Sequence, residues 1–249
     1  MGVVYEATAA SGRSVALKML RHRFVHEPKA IDRFVQEGKT LSEIKHPNLV
    51  SVHDCFVAFN TRFLSMEYWD GFDLARLIRK RGTLDEATCR AILGQVASGL
   101  KQSHASQVLH LDIKPGNILL TKDGRVALTD FGLCKLIGAS EDVHTVVGTL
   151  PYMPPEQFQA GQICEASDWY ALACTAVEML TGKRLFQETS FNSAWQAKNF
   201  RMPSSAWPEF AASAETKHVI NAALHPDPTR RMLDLEHIAS WAATGPELF

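Results

Sequence analysis

Hydrophobic spacing changes character once along this chain, and the change restricts the folds open to it. Up to about residue 70 the apolar residues come in short, β-branched-rich runs: Val3–Ala7, Val15–Leu20, Leu49–Phe56 and Arg62–Met66. The first two flank the turn-prone Ala10-Ser11-Gly12-Arg13 and read as a hairpin. One helix interrupts these strands, opened by Pro28 in its first turn and running to about Lys45. Beyond Trp69-Asp70-Gly71 long helical patterns take over at Thr83–Ser106 and Ser167–Leu180, the second closed by Gly182. Between them lies a short β section, Ile118–Asp130, then an irregular stretch to Glu156 that exceeds ordinary loop length. The implied fold class is α+β and bilobal, and the length of 249 residues suits one or two domains. A small β-rich lobe covers 1–66, a connector 67–70, and a larger, mainly helical lobe 71–249.

Composition removes several function classes. Lys and Arg number 26 and Asp and Glu 27 in 249 residues, so no bulk charge draws the chain to nucleic acid or an acidic membrane. The longest apolar stretch, Trp169–Leu180, is broken by Glu178 and falls short of the roughly 20 residues a bilayer span needs. Met1 runs directly into Gly-Val-Val-Tyr-Glu, with no basic region ahead of an apolar one. Five scattered cysteines without a CxxC pair give neither a disulfide framework nor a zinc site. A reducing, cytoplasmic location is expected, with no membrane segment in this chain.

Two charged residues stand where apolar ones belong. Strand alternation puts Lys18 on one face with Ala16 and Leu20. Taken alone, that is an edge-strand lysine pointing to solvent. On the following helix, a step of about 100° per residue sets Phe34, Glu37, Leu41 and Ile44 on one stripe. A carboxylate inside that stripe is costly without a cation, and Lys18 is the available partner. A purely structural ion pair satisfies the same spacing.

A second constellation follows the first long helix. Ile118–Thr121 and Val126–Thr129 flank Lys122-Asp123-Gly124-Arg125 and read as a hairpin. A two-residue turn at Asp123 and Gly124 sets Asn117 and Asp130 facing each other, or nearly so, across the open end, with their side-chain oxygens a few Å apart. One neutral and one anionic oxygen ligand suit Mg²⁺, which keeps waters and takes phosphate oxygens. Asn and Asp also trim ordinary hairpin mouths. Just upstream, Pro115 and Gly116 bend the segment His110-Leu-Asp-Ile-Lys-Pro-Gly-Asn117, letting Asp112, Lys114 and Asn117 converge. A carboxylate, an ammonium and an amide in one loop suit phosphoryl transfer: the carboxylate orients a hydroxyl, and the cations offset charge on the moving oxygens.

These segments together resemble a protein kinase, of the bacterial, eukaryotic-like Ser/Thr type, along nearly the whole chain. Val15-Ala16-Leu17-Lys18 resembles the strand motif, Glu37 its helix partner, and His46-Pro47-Asn48 the segment after that helix. Met66-Glu67-Tyr68 resembles the gatekeeper and hinge, His110 to Asn117 the catalytic loop, and Asp130-Phe131-Gly132 the metal-binding triplet. Gly148 to Glu156 resembles the end of the activation segment, Asp168-Trp169 the start of the central helix, and Arg231 the partner of Glu156. The resemblance implies a bilobal kinase fold, ATP and Mg²⁺ as cofactors, and a protein substrate bearing a Ser or Thr hydroxyl; it leaves oligomeric state open. It implies that Lys18, paired with Glu37, holds the α/β-phosphates, Asn117 and Asp130 hold Mg²⁺, Asp112 is the catalytic base and Lys114 contacts the γ-phosphate. Ala16 and Leu119 would sandwich the adenine, the backbone of Met66, Glu67 and Tyr68 would meet its edge, and Gly2 and Val4 would cover the nucleotide. Thr149, placed to bond Asp112 and Lys114, fits the Ser/Thr pattern.

Three departures accompany the resemblance. Only the last glycine of the glycine-rich loop, Gly2, precedes Val3-Val4-Tyr5, so Met1 is expected to be an internal methionine and the first strand to be missing. An in-frame stop codon directly upstream would contradict this. Leu111 stands where an arginine usually pairs with an activation-segment phosphate, so phosphorylation of Ser140 or Thr145 is expected to be dispensable, with Lys135 as a residual cation. Phosphatase treatment that abolishes turnover would contradict that. Pro154 replaces a usual alanine, with no strong consequence. The alternative is a pseudokinase, a nucleotide-binding or scaffold module without turnover. Against it stand Lys18, Glu37, Asp112, Lys114, Asn117 and Asp130, all present.

Overall fold

Two seven-residue strands on either side of a short loop start the chain. The structure is a computed structural model that describes residues 2–131, 135–136, 149–158, 163–187, 190–200, 210–231 and 235–244. β1 (Gly2–Thr8) runs antiparallel to β2 (Ser14–Leu20), with Val4 opposite Lys18 and Glu6 opposite Ala16. β4 (Thr61–Glu67) pairs with the other side of β2, and β3 (Val52–Ala58) with β4, so the sheet order is β1-β2-β4-β3. β2 is therefore an inner strand, and Lys18 does not reach solvent as an edge lysine would.

The third strand begins later than its apolar run. Leu49 is drawn into a turn, its N–H donating to His46 O at 3.0 Å, and it bridges Leu128 instead of continuing β3. The Asn48 side chain fixes that turn by donating to Val126 O at 2.8 Å and to Gln95 Oε1 at 3.1 Å. α1 (Pro28–Glu43) packs on β3 and β4 with Phe34, Glu37, Leu41 and Ile44 all buried. Pro28 occupies its first turn, where a missing N–H costs nothing.

Past β4 the chain crosses residues 68–70 into β5 (Gly71–Asp73), which joins a second sheet of order β5-β7-β8. A Cβ on Gly71 would lie 1.9 Å from Leu120 O, so only glycine brings the connector this close to β7 (Ile118–Thr121). β8 (Val126–Leu128) completes that sheet, and β6 (Val108–Leu109) pairs with β9 (Lys135–Leu136).

The rest is helical: α2 (Leu74–Arg81), α3 (Glu86–Ala105), α4 (Glu165–Thr181), α5 (Phe191–Phe200), α6 (Ala214–Ala223) and α7 (Leu235–Ser240). Asp73, Asp85 and Ser213 accept N–H bonds at the starts of α2, α3 and α6, satisfying donors that a helix leaves open. α4 is buried almost all round, as a helix apolar on every side must be, and it packs on α3 and α6. Its C-terminus closes at Gly182, whose N–H donates to Glu178 O at 2.9 Å. Among the described residues no helix is long and apolar enough to cross a membrane, and Cys55, Cys89, Cys164 and Cys174 are free thiols. Cys134 lies outside the described residues.

Candidate active site

Lys18, Glu37 and Asp130 come from three elements and meet at one ammonium. Lys18 Nζ donates to Glu37 Oε1 and to Asp130 Oδ1, each at 2.6 Å. Lys18 is 5% exposed and Glu37 2%, while the Asp130 side chain keeps 47% of its surface open. Burial works against the ammonium, but the Glu37 and Asp130 carboxylates outweigh it and hold Lys18 above the usual lysine value. Burial pushes the Glu37 carboxyl up against the attraction of Lys18. For the more open Asp130, burial loses to Lys18 and the carboxyl sits below its usual value.

The second group gathers around Asp112. Thr149 Oγ1 donates to Asp112 Oδ1 at 2.7 Å, while Lys114 Nζ and Asn117 Nδ2 donate to Oδ2 at 2.6 and 3.1 Å. Lys114 Nζ also donates to Thr149 Oγ1 at 2.8 Å, closing a ring of three side chains. Asn117 Nδ2 donates a second time to Asp112 O at 2.9 Å. Both carboxylate oxygens are thus oriented by fixed donors, which is what a proton acceptor aimed at one hydroxyl needs.

This loop is held from below. The Asp168 carboxylate on α4 is fully buried; Oδ2 accepts from His110 N–H at 2.9 Å and Oδ1 from Leu111 N–H at 2.8 Å. His104 Nε2 on α3 bonds the same Oδ2 at 2.8 Å. Burial alone would raise the Asp168 carboxyl, but His104, His110 and the backbone donors bring it below the ordinary carboxylate range. The clamp holds Leu111 at φ 63°, a left-handed conformation that costs a side chain of this size. His110 is buried against Phe131, ring centroids 4.3 Å apart. Its Nδ1 accepts from Asp112 N–H at 3.2 Å and its Nε2 faces Thr129 O at 3.1 Å, and burial holds its pKa below the usual histidine value.

The remaining sequence candidates lie on β1, β2, β4, β7 and the connector after β4. Ala16 lies opposite Met66 on the β2–β4 ladder, and Leu119 stands half-buried on β7, opposite Asp73 of β5. Glu67 N–H donates to Ser51 O at 2.8 Å, tying the connector to the sheet, and Tyr68 follows, its hydroxyl pushed up by the Glu6 carboxylate. Gly2 closes on the Lys18 stem, where a Cβ would sit 3.0 Å from Lys18 Cγ, while Val4 is exposed.

One expectation is corrected. The hairpin register is one step from that of a two-residue turn: Ile118 pairs with Leu128, Leu120 with Val126, and Asn117 O accepts from Thr129 N–H at 3.0 Å, so Thr129 and not Asp130 stands directly opposite Asn117. The cause is the turn. Thr121 N–H donates to Arg125 O at 3.0 Å, making a three-residue loop of Lys122-Asp123-Gly124 with Gly124 at φ 82°. Asp130 falls one step beyond the mouth, at φ 64°, and turns to Lys18 while Asn117 turns to Asp112. The Asn117 amide keeps its oxygen on the side away from Asp112, and Asp130 keeps an oxygen not used by Lys18. One neutral and one anionic oxygen fit a cation that retains waters and phosphate ligands. Among the described residues no cluster of three or more His, Cys, Asp or Glu builds a metal cage.

The sequence resemblance placed Asp168 at the start of the central helix without giving it a partner, and His104 was not singled out. Glu156 and Arg231 meet as expected, Nη1–Oε1 at 2.7 Å and Nη2–Oε2 at 2.9 Å. Gly132, Ser140, Thr145, Gly148 and the Lys135 side chain lie outside the described residues. Leu111 itself is buried and carries no charge to meet a phosphate.

The family model described as "Protein kinase domain" matches residues 1–240. Serine/threonine-protein kinase PrkC of Bacillus subtilis is 32% identical over 222 residues, covering 88% of this chain and 34% of that protein. Serine/threonine-protein kinase PknA of Mycobacterium tuberculosis is 37% identical over 194 residues, 75% of this chain and 45% of that protein. Serine/threonine-protein kinases PknA of Corynebacterium glutamicum is 35% identical over 234 residues, 91% of this chain and 50% of that protein. The chain thus spans a third to a half of the length of these relatives.

Proposed function

Because this chain belongs to the protein kinase family, we propose that it transfers the γ-phosphoryl group of ATP to a Ser or Thr hydroxyl of a protein substrate. The observation that carries the reading is the Asp112 carboxylate, oriented at once by Thr149, Lys114 and Asn117. In that role Asp112 accepts the acceptor hydroxyl's proton, and Lys114, 2.6 Å away, offsets charge on the transferring oxygens. Lys18, kept charged by its two carboxylates, binds the nucleotide phosphates, with Glu37 fixing its position. Asn117 and Asp130 would hold Mg²⁺, which supplies charge neutralisation to the phosphates. Phosphoryl transfer asks for little covalent chemistry from the protein, so these fixed positions are most of its contribution.

Adenine would lie between Ala16 and Leu119, beside Met66 and the backbone of Glu67 and Tyr68, with Gly2 and Val4 above. Residues 67–70 would act as the hinge of a single domain over 1–249. The Lys114–Thr149 bond supports Ser/Thr over Tyr acceptors. We assign the chain a cytoplasmic setting and a protein partner. The test is phosphate incorporation from γ-labelled ATP into dephosphorylated casein by the 249-residue chain. Asp112→Ala should lower it by at least about 10²-fold. Equal incorporation by both would refute the assignment.

A further inference from the structure

The segment Thr149-Leu-Pro-Tyr-Met-Pro-Pro-Glu156 contains three prolines, which supply no N–H and cannot join a ladder. Its carbonyls need donors from elsewhere. Lys198 on α5 supplies them: Nζ donates to Leu150 O at 2.7 Å, Pro151 O at 3.0 Å and Met153 O at 2.7 Å. An ammonium has three N–H groups, and here each has a carbonyl. Lys198 is 1% exposed, deeper than lysines normally sit. Three rings surround the charge, with centroids 4.5 Å (Phe186), 5.6 Å (Tyr170) and 5.9 Å (Phe158) away. Ala194 and Ala197, also buried, let α5 approach closely enough for Lys198 to reach the segment.

What this clamp fixes is adjacent to the reacting groups. Tyr152 and Met153 N–H both donate to Thr149 O, at 2.9 and 3.2 Å. Thr149 in turn bonds Asp112 and Lys114. A small cavity beside Asp112 is walled by Thr149, Tyr152, Met153 and Pro154. The backbone that Lys198 holds therefore borders Asp112 and joins it through Thr149.

We propose that Lys198 is a positioning residue for the acceptor side of the site: by clamping 150–153 it sets affinity for the protein acceptor and not for the nucleotide. The proposal rests on the phosphotransferase reading for its kinetic part only. Lys198→Met preserves the stem and removes the three donors. In the 249-residue chain, it should raise KM for dephosphorylated casein about tenfold and leave KM for ATP within about twofold. Hydrogen exchange should quicken about tenfold at the Tyr152 and Met153 amides, with α4 amides unchanged. Phe186→Leu, which keeps the ammonium but removes its nearest ring, should shift casein KM the same way by a smaller factor. It stands in if the methionine variant does not fold. A fall in kcat with both KM values unchanged would mean a merely structural lysine and overturn the proposal, as would unaltered exchange at 152 and 153. If the wild-type chain transfers no phosphate, the phosphotransferase reading falls, and the exchange measurement still decides whether the clamp exists.

Discussion

Asp168→Asn is the sharpest test of how the loop carrying Asp112 is held. The side chain is almost unchanged in shape, but one carboxylate oxygen becomes an NH₂ group. Asp168 accepts two backbone N–H bonds, one per oxygen, at 2.9 and 2.8 Å. Whichever way the amide turns, one of these buried N–H groups meets another donor. His104 does not relieve this: if the amide NH₂ faces its Nε2, the imidazole proton must move to Nδ1, which is buried without a hydrogen-bond partner. A bond to a charged acceptor contributes about 1.5–3 kcal/mol, and a stranded buried donor costs about 1–3 kcal/mol. Release of the strain at Leu111 returns about 1 kcal/mol to the altered loop. The balance is about 1.5–5 kcal/mol against the present conformation. At about 1.4 kcal/mol per tenfold, kcat should fall on the order of 10- to 10³-fold. KM for ATP should hold, because Lys18 and Glu37 lie outside this clamp. Casein phosphorylation and urea unfolding are the assays. A kcat within threefold of wild type at an unchanged urea midpoint would show that the clamp does not set the loop.

Other consequences follow from the same contacts. Thr149→Val keeps the branched shape but deletes the bonds to Asp112 and Lys114, so kcat should drop about tenfold with stability changed by under about 1 kcal/mol; unchanged turnover would contradict the role given to that hydroxyl. Arg231 places all five N–H groups, on Glu156, Ala166 O, Pro226 O and His225 O, and a lysine can match neither the number nor the fork. Arg231→Lys should cost about 3–5 kcal/mol in urea unfolding, and a loss below 1 kcal/mol would be evidence against the pair's structural weight. His110 has its folded pKa held below the usual 6.5, so the unfolded chain binds its proton first as pH falls. Its stability contribution is complete above pH 6.5 and is lost as pH drops through the folded value. His46, also lowered by burial, acts with the same sign. Unfolding free energy should therefore decline from pH 7 to 5, and His110→Phe should flatten that slope; an identical slope would remove His110 as the cause.

What the sequence disclosed was decided by cost. A carboxylate on the Phe34–Leu41–Ile44 stripe is intelligible only with a cation beside it, so the Lys18–Glu37 pair could be read before any coordinates. The hairpin register could not. It depends on whether Gly124 closes a two- or three-residue loop, and Asp-Gly admits both; one step moves Asp130 from opposite Asn117 to beyond it. The start of β3 was misplaced for a similar reason. Leu49 is as apolar as a strand residue, and only the Asn48 side chain, bonded to residues 47 and 78 positions away, turns the chain there. The roles of Asp168 and Lys198 were illegible because their partners are mainly backbone groups. Backbone donors and acceptors are the same at every position, so no side-chain pattern announces which of them a distant residue will serve.

Asp130 and Asp112, the two carboxylates of the site, are held in different ways. Lys18 takes its carboxylates from α1 and from the end of the β7–β8 hairpin, so a single ammonium spans the sheet of the small lobe and the loop system of the large one. If residues 67–70 act as the proposed hinge, their motion would stretch the contact to Asp130, while the contact to Glu37 would travel with the small lobe. Phosphate bound at Lys18 would compete with Asp130 for the ammonium, freeing that carboxylate for a cation. Asp112 is coupled to the same side by a different route: its Oδ2 accepts from Lys114 and Asn117, the residues proposed to meet the transferring oxygens and Mg²⁺, while Oδ1 accepts from Thr149. A bound magnesium nucleotide would therefore reach Asp112 through Lys114 and Asn117, while Thr149 above and the Asp168 clamp below keep the loop in place.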